Sequence, residues 1–164
     1  MSSKSQVPAT ADLVDEHGDR AAVCLAALRR FGGRAAFAGE IATIRCFEDN
    51  VLLARRVSEA GHGRVLVVDA GGSLRVAVLG DRLGGLARAN GWAGVVINGA
   101  VRDTVALAAL ELGISALGTC PRRSKKDGHG ELDVPVAFGE ITFEPGAMLY
   151  ADDDGIVVLA GERA

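Results

Sequence analysis

Apolar and polar positions alternate along this chain in two rhythms, one of period 2 and one of period 3.6, interleaved through most of its length. That interleaving predicts mixed α/β architecture rather than separate helical and sheet halves. Residues 11–14 and 21–31 follow helical spacing, with Gly32-Gly33 as a stop. Residues 34–47 carry the β-branched and apolar side chains of one long or broken strand. A helix over 48–60, closed by Gly61-His62-Gly63, leads into a strand over 64–69, whose run Val65-Leu-Val-Val68 predicts burial. After a turn at Gly71-Gly72, a short strand over 74–79 delivers the chain to Gly80-Asp81. Leu83, Leu86 and Ala87 then repeat at helical spacing as far as Asn90-Gly91. A strand over 94–98 ends at Gly99, and the segment 101–112 holds Arg102-Asp103 followed by an apolar helix. Gly113 closes that helix before a strand over 114–119. The segment 121–130 is polar and loop-like, and from Leu132 short apolar runs broken by Gly139, Pro145-Gly146 and 152–155 predict a β-rich C-terminal end. No repeat or linker divides the 164 residues, so one domain over 1–164 is expected, with 1–10 flexible.

Composition agrees with a globular chain, at 24% charged and 49% apolar residues. No apolar run approaches the roughly 20 residues of a membrane span. The polar segment 1–10 lacks the apolar core of an export signal, so a cytoplasmic protein is expected. Cys24, Cys46 and Cys120 form no C-x-x-C pair, and His17, His62 and His129 are scattered. Both facts argue against a disulfide framework or a zinc site. A net charge of -3 gives no general attraction to phosphate backbones, which excludes nucleic acid as a direct partner.

The sharpest chemical constellation is Asp81, followed after twenty residues by Arg102-Asp103, each just past an expected strand and at the start of an expected helix. In open α/β sheets, ligands bind beyond the carboxyl ends of the strands, where helix N-termini bring free N–H groups. A guanidinium there can grip a carboxylate with two hydrogen bonds. The competing reading is plain: an Asp at a helix start is also a favoured N-cap, and an Arg beside an Asp is often only an ion pair.

Six stretches together resemble one family: Phe31-Gly-Gly-Arg-Ala-Ala-Phe-Ala-Gly39, Cys46-Phe-Glu-Asp-Asn50, Arg64-Val-Leu-Val-Val-Asp69, Gly99-Ala-Val-Arg-Asp103, Leu112-Gly-Ile114 and Ala151-Asp-Asp-Asp-Gly-Ile156. This is the family of the regulator of ribonuclease activity A, which also holds the class II 4-hydroxy-4-methyl-2-oxoglutarate aldolases. The resemblance spans residues 10–159. It implies a compact domain of the swivelling β/β/α class, a ring-shaped homotrimer with active sites near subunit boundaries, and a metal-dependent lyase. The lyase would cleave 4-hydroxy-4-methyl-2-oxoglutarate to two pyruvates and decarboxylate oxaloacetate through the same enolate. The aldolase pattern D-x20-R-D is matched by Asp81, Arg102 and Asp103. By that match Asp103 would position a divalent metal, Mg2+ or Mn2+, largely through waters, and Arg102 would contact the pyruvyl part. The amides of Gly80, Asp81, Arg82 and Leu83 would hold the substrate carboxylate, and Asp81 a metal-associated water acting as base.

A Schiff-base aldolase needs a desolvated lysine, and the lysines, Lys4, Lys125 and Lys126, lie in a terminus and a polar loop. Metal chemistry is then the remaining aldolase route. The rival reading is a protein that binds and inhibits an endoribonuclease without catalysis. The basic run Arg122-Arg-Ser-Lys-Lys126 could dock an acidic partner or RNA, though a solvated charge run explains it. Some proteins of this type carry a menaquinone-pathway methyltransferase label, but the glycines after Asp69 should lead into a strand rather than open a helix, against an adenosyl-binding turn. Asp69 is expected in a turn or supporting role, and the acidic run 152–155 in a β-turn.

Overall fold

Four adjacent apolar residues leave a strand no polar face, so Val65-Leu-Val-Val68 must be covered on both sides. A computed structural model, describing residues 6–160, shows how that happens. In chain order the elements are α1 (Thr10–His17), a 3-10 turn (Gly18–Arg20), β1 (Ala21–Val23), β2 (Arg29–Arg30), β3 (Phe37–Arg45), α2 (Val51–Val57), β4 (Val65–Asp69), β5 (Ala77–Leu79), α3 (Asp81–Ala89), β6 (Gly94–Val101), α4 (Thr104–Ala108), β7 (Gly113–Thr119), β8 (Glu131–Leu132), β9 (Val136–Phe138), β10 (Ile141–Phe143), β11 (Met148–Asp152) and β12 (Gly155–Leu159).

Strands β3, β4, β6 and β7 lie parallel and adjacent, and β5 adds to β6. The long strand β3 serves three neighbours: residues 37–40 pair antiparallel with β11, residues 41–45 pair parallel with β4, and residues 44–45 also pair antiparallel with β8. Side chains on a strand alternate faces. Leu66, Val68, Val95 and Ile97 therefore pack with Leu53 and Val57 of α2, Leu83 and Ala87 of α3 and Leu107 of α4. Val65, Val67 and Val96 face the other way, onto Val136, Phe143, Leu149, Ile156 and Val158 of the C-terminal strands. Each such fully buried aliphatic contributes about 1.5–3 kcal/mol. The result is a sheet-dominated α/β domain in three layers, matching the expected class. No described helix is long and apolar enough to cross a membrane.

Two expectations fail, for reasons that lie in tertiary contacts. Residues 21–31 are not helical: Ala21–Val23 pair with β12 and Arg29–Arg30 with β7. Strand edges elsewhere in the chain capture this segment against its local helical spacing. The expected stop at Gly32-Gly33 has another use, since the Gly33 N–H donates to the Leu110 carbonyl at 2.8 Å. A Cβ on Gly33 would sit 2.5 Å from that same oxygen. Helix α4 ends at Ala108, short of the expected boundary. Strand β6 runs through Gly99 to Val101.

Of the N-terminal segment read as flexible, residues 1–5 lie outside the described residues. Thr10, by contrast, opens α1 and is buried. Its N–H and Oγ1–H donate to the Asp152 carboxylate at 2.8 and 2.7 Å, and the Asp154 N–H adds a bond at 3.0 Å. The acidic run is thus the expected turn, between β11 and β12. Burial alone would raise the Asp152 carboxyl, but the donors of Thr10, Asp154 and Gly155 outweigh it and hold it below the usual carboxylate range.

Phe37, at the head of β3, lies against Gly94 and Gly113, which pair across β6 and β7. A Cβ on Gly113 would meet the Phe37 ring at 2.1 Å. Gly113→Ala should therefore destabilise by about 1–3 kcal/mol through overpacking, read as a lowered urea midpoint. Because Asp152 is depressed in the folded state, its contribution is complete above the unfolded value of about 3.9 and declines as pH falls through the folded one. Urea midpoints between pH 6 and pH 3 should accordingly fall less steeply for Asp152→Asn than for the parent.

Candidate active site

Strand β5 pairs in parallel with β6, Leu79 opposite Val101. One bond beyond the strand, the Arg102 N–H donates to the Leu79 carbonyl at 3.0 Å. Two turns separated by twenty residues of chain therefore leave the sheet side by side, at the carboxyl ends where α3 and α4 begin. Gly80, Asp81, Arg82, Leu83, Arg102 and Asp103 all line one cavity of about 110 Å3. The structure thus brings together every residue singled out from the sequence.

The two bland readings of these residues fail on geometry. Asp81 is the first residue of α3, not its cap, a place taken by Gly80. Asp103 does occupy the cap position of α4, yet it makes no side-chain bond there and adopts left-handed backbone angles, φ 58° and ψ 43°. Its carboxylate reaches across to α3 instead, where Oδ2 accepts the Asp81 N–H at 3.0 Å. Gly80 makes this possible, since a Cβ on it would lie 2.5 Å from Asp103 Oδ2. The first i→i−4 bond of α3 is from Gly84 to Gly80, so the Arg82 and Leu83 amides precede the helical ladder.

Nor is Arg102 held by its neighbour. Among the described residues the ion-paired arginines are Arg30, Arg45, Arg56 and Arg75, and Arg102 has only a 3.4 Å bond to the Pro121 carbonyl. Its guanidinium keeps donors for an anion.

Sequence reasoning missed three polar lining residues: Asn50, Arg123 and Lys126. Asn50 Nδ2 donates to the Val78 carbonyl of β5 at 3.3 Å. The cations come from the segment 121–130, read above as a solvated charge run. It folds over the site because the Ala77 N–H donates to the Arg122 carbonyl at 2.7 Å and the Lys125 N–H to the Glu48 carbonyl at 2.9 Å. No local sequence signal marks those partners, which lie some 45 and 77 residues away along the chain. Lys126 remains exposed, so it lacks the desolvation a Schiff-base lysine needs. Lys4 lies outside the described residues. Four cations, Arg82, Arg102, Arg123 and Lys126, surround the carboxylates of Asp81 and Asp103, a balance that draws in anions.

For a metal, no three His, Cys, Asp or Glu side chains converge among the described residues. Hard dications such as Mg2+ are held by one or two carboxylates and keep several waters. Asp103, with one oxygen fixed by the Asp81 N–H, and the exposed Asp81 carboxylate in the same cavity supply that kind of donor set.

At the turn after β4, Gly71 and Gly72 take φ 68° and 73°, and the chain passes into β5 without a helix. Asp69 accepts the Gly71 N–H and the Asn98 amide at 3.0 and 2.9 Å, the first of the two readings given for it, a turn residue.

The model of the RraA-like family, described as Aldolase/RraA, matches residues 10–158. Among solved structures, a Geobacillus kaustophilus protein named S-adenosylmethionine: 2-dimethylmenaquinone methyltransferase is 47% identical, with TM-score 0.93 over 95% of this chain and 97% of its own. An RNA-processing inhibitor RraA from Thermus thermophilis is 44% identical, with TM-score 0.90 over 97% and 99%. A Streptomyces coelicolor protein, described as an unusual member of the RNase ES inhibitor RraA family, is 30% identical, with TM-score 0.74 over 94% and 81%.

Since the Asp103 carboxylate caps α3 from outside the helix, Asp103→Ala should cost about 1 kcal/mol of stability, the worth of an N-cap. Asp103→Asn, which keeps an acceptor, should recover most of it. Equal urea midpoints for parent and Asp103→Ala would contradict the capping role.

Proposed function

Because the chain belongs to the RraA-like family, which includes both aldolases and ribonuclease inhibitors, we propose that it is a divalent-metal-dependent lyase acting on small 2-oxo acids. Its substrates are 4-hydroxy-4-methyl-2-oxoglutarate, cleaved to two pyruvates, and oxaloacetate, decarboxylated to pyruvate. The observation that carries this reading is the meeting of Asp81, Arg102 and Asp103 beside open amides, with Arg102 unpaired and Asp103 fixed to the α3 N-terminus. A ribonuclease inhibitor has no need of that arrangement. The methyltransferase name of one relative finds no support in the turn after β4, where the glycines do not open a helix.

Cleavage of the C3–C4 bond leaves its electron pair on C3, delocalised onto the C2 oxygen as a pyruvate enolate. The catalyst must neutralise that oxyanion and take the C4 hydroxyl proton. Arg102 supplies a full positive charge at the pyruvyl end. One unit charge about 4 Å away at an effective dielectric near 20 is worth about 4 kcal/mol, or roughly three decades if felt only in the transition state. The Arg82 and Leu83 amides at the α3 N-terminus receive the substrate carboxylate. Asp81, through a water, accepts the hydroxyl proton, and the same water returns a proton to C3 of the enolate to give the second pyruvate. Asp103, with Asp81 beside it, would hold the dication, which when bound polarises the keto oxygen and acidifies water. Loss of carbon dioxide from oxaloacetate places electrons on the same carbon and needs the same stabilisation of the enolate oxygen, with no hydroxyl proton to remove. Arg123 and Lys126 offer charge to the second carboxylate of 4-hydroxy-4-methyl-2-oxoglutarate, which is kept in the product.

The same reading makes the working unit a homotrimer, and light scattering should return three chain masses. The decisive assay is pyruvate release from both substrates, with Mg2+ and with chelator. Chelator should abolish turnover and Mg2+ restore it. Arg102→Ala should lower kcat/KM by about 100- to 1000-fold. Asp103→Ala should remove activity far beyond what its roughly 1 kcal/mol loss of stability explains. Turnover indifferent to chelation, or full activity in both variants, would overturn the proposal. Ribonuclease inhibition without any pyruvate release would favour the regulator reading instead.

A further inference from the structure

The segment 121–130 brings Arg123 and Lys126 to the cavity, but it has little with which to hold its own shape. It contains no helix, and Ser124 is its one buried residue. What fixes it is a buried charge. Asp49 is 4% exposed and is the sole buried carboxylate among the described residues. Its Oδ2 accepts the N–H groups of Asp127, Gly128 and His129 at 2.9, 2.9 and 3.3 Å, and its Oδ1 accepts the Val51 N–H at 3.0 Å. Three successive amides converging on one oxygen form an anion seat, here filled by the protein's own carboxylate. Burial alone would push that carboxyl up, yet the bonds from Val51, His129, Asp127 and Gly128 prevail and hold it below the usual range. It is therefore charged at neutral pH, and its bonds are of the stronger, charge-assisted kind.

The neighbours of Asp49 tie the same loop from the other side. The Lys125 N–H donates to the Glu48 carbonyl, and the Asn50 N–H donates back to the Lys125 carbonyl at 3.3 Å. The stretch carrying both cations thus runs between the Arg122 anchor on β5 and the amides seated on Asp49.

We propose that Asp49 is a positioning residue of the site: by seating amides 127–129 it sets where Arg123 and Lys126 stand, and so sets affinity for the second carboxylate of the substrate. This rests on the reading that the cavity binds a 2-oxo dicarboxylate. Asp49 itself touches no substrate, and its effect passes through the two cations.

The test joins steady-state kinetics on 4-hydroxy-4-methyl-2-oxoglutarate, whose second carboxylate is kept through the cleavage, with hydrogen exchange of segment 121–130, followed by mass spectrometry. In Asp49→Asn, KM should rise about tenfold with kcat within about threefold, the split expected when ground-state binding is lost. Arg123→Ala added to Asp49→Asn should raise KM little further, because the arginine is already misplaced. Exchange in 121–130 should quicken at least about tenfold while β4 and β6 keep their protection. Gly128→Ala perturbs the seat from the loop side and serves if Asp49→Asn does not fold. Gly128 has φ 85°, and a Cβ there meets only Val51 Cγ1 at 3.8 Å, so the strain is in the backbone without a clash. It should give the same two signatures. Unchanged exchange in 121–130, or additive KM effects of Asp49→Asn and Arg123→Ala, overturns the proposal. If the parent protein releases no pyruvate, the lyase reading falls and takes the affinity claim with it. Exchange then decides the clamp alone: faster upholds it, unchanged overturns it.

Discussion

One bond past the paired residues of β5 and β6, the Arg102 N–H reaches the Leu79 carbonyl at 3.0 Å, and the geometry of the site hangs from that extension of the ladder. Parallel pairing makes two strands end in the same direction, so the turns that follow them share one surface. Asp103 can then lend its carboxylate to the first amide of a helix that is not its own. The left-handed backbone of Asp103 and the missing side chain of Gly80 are the local costs of that crossing. Both occur beside the functional cavity, where such departures from regular backbone tend to gather.

The chain is acidic overall, at -3, whereas this cavity is ringed by four cations facing two carboxylates. The contrast comes from folding, since the arginines of the β5–α3 and β6–α4 turns meet a basic loop that arrives from beyond β7. A bound anion would restore the balance where the carboxyl ends of the strands and the helix N-termini already favour negative charge. The buried Asp49 belongs to the same economy, because it spends one interior charge to hold two exterior ones in place.

Where the sequence reading went wrong, the fault was always a distant partner. The helical spacing of 21–31 was real, but free edges on β12 and β7 outbid it. Gly32-Gly33 looked like a helix stop and is a place where two backbones nearly touch. The run 122–126 looked like solvated charge because nothing nearby in sequence shows that Glu48 and Ala77 will take its backbone.

By itself the sequence determined the layering and the chemistry on offer. Continuous apolar strands must be covered on both faces, alternation assigns each side chain to one cover or the other, and D-x20-R-D puts its three residues just past strand ends. These follow from periodicity and local stereochemistry, which act over a few residues. Only the tertiary structure decided that the Asp103 carboxylate caps α3, that Arg102 stays unpaired, and that Asn50, Arg123 and Lys126 complete the cavity. Those outcomes depend on which strand lies beside which, and strand pairing is a long-range bargain that no short stretch of residues encodes.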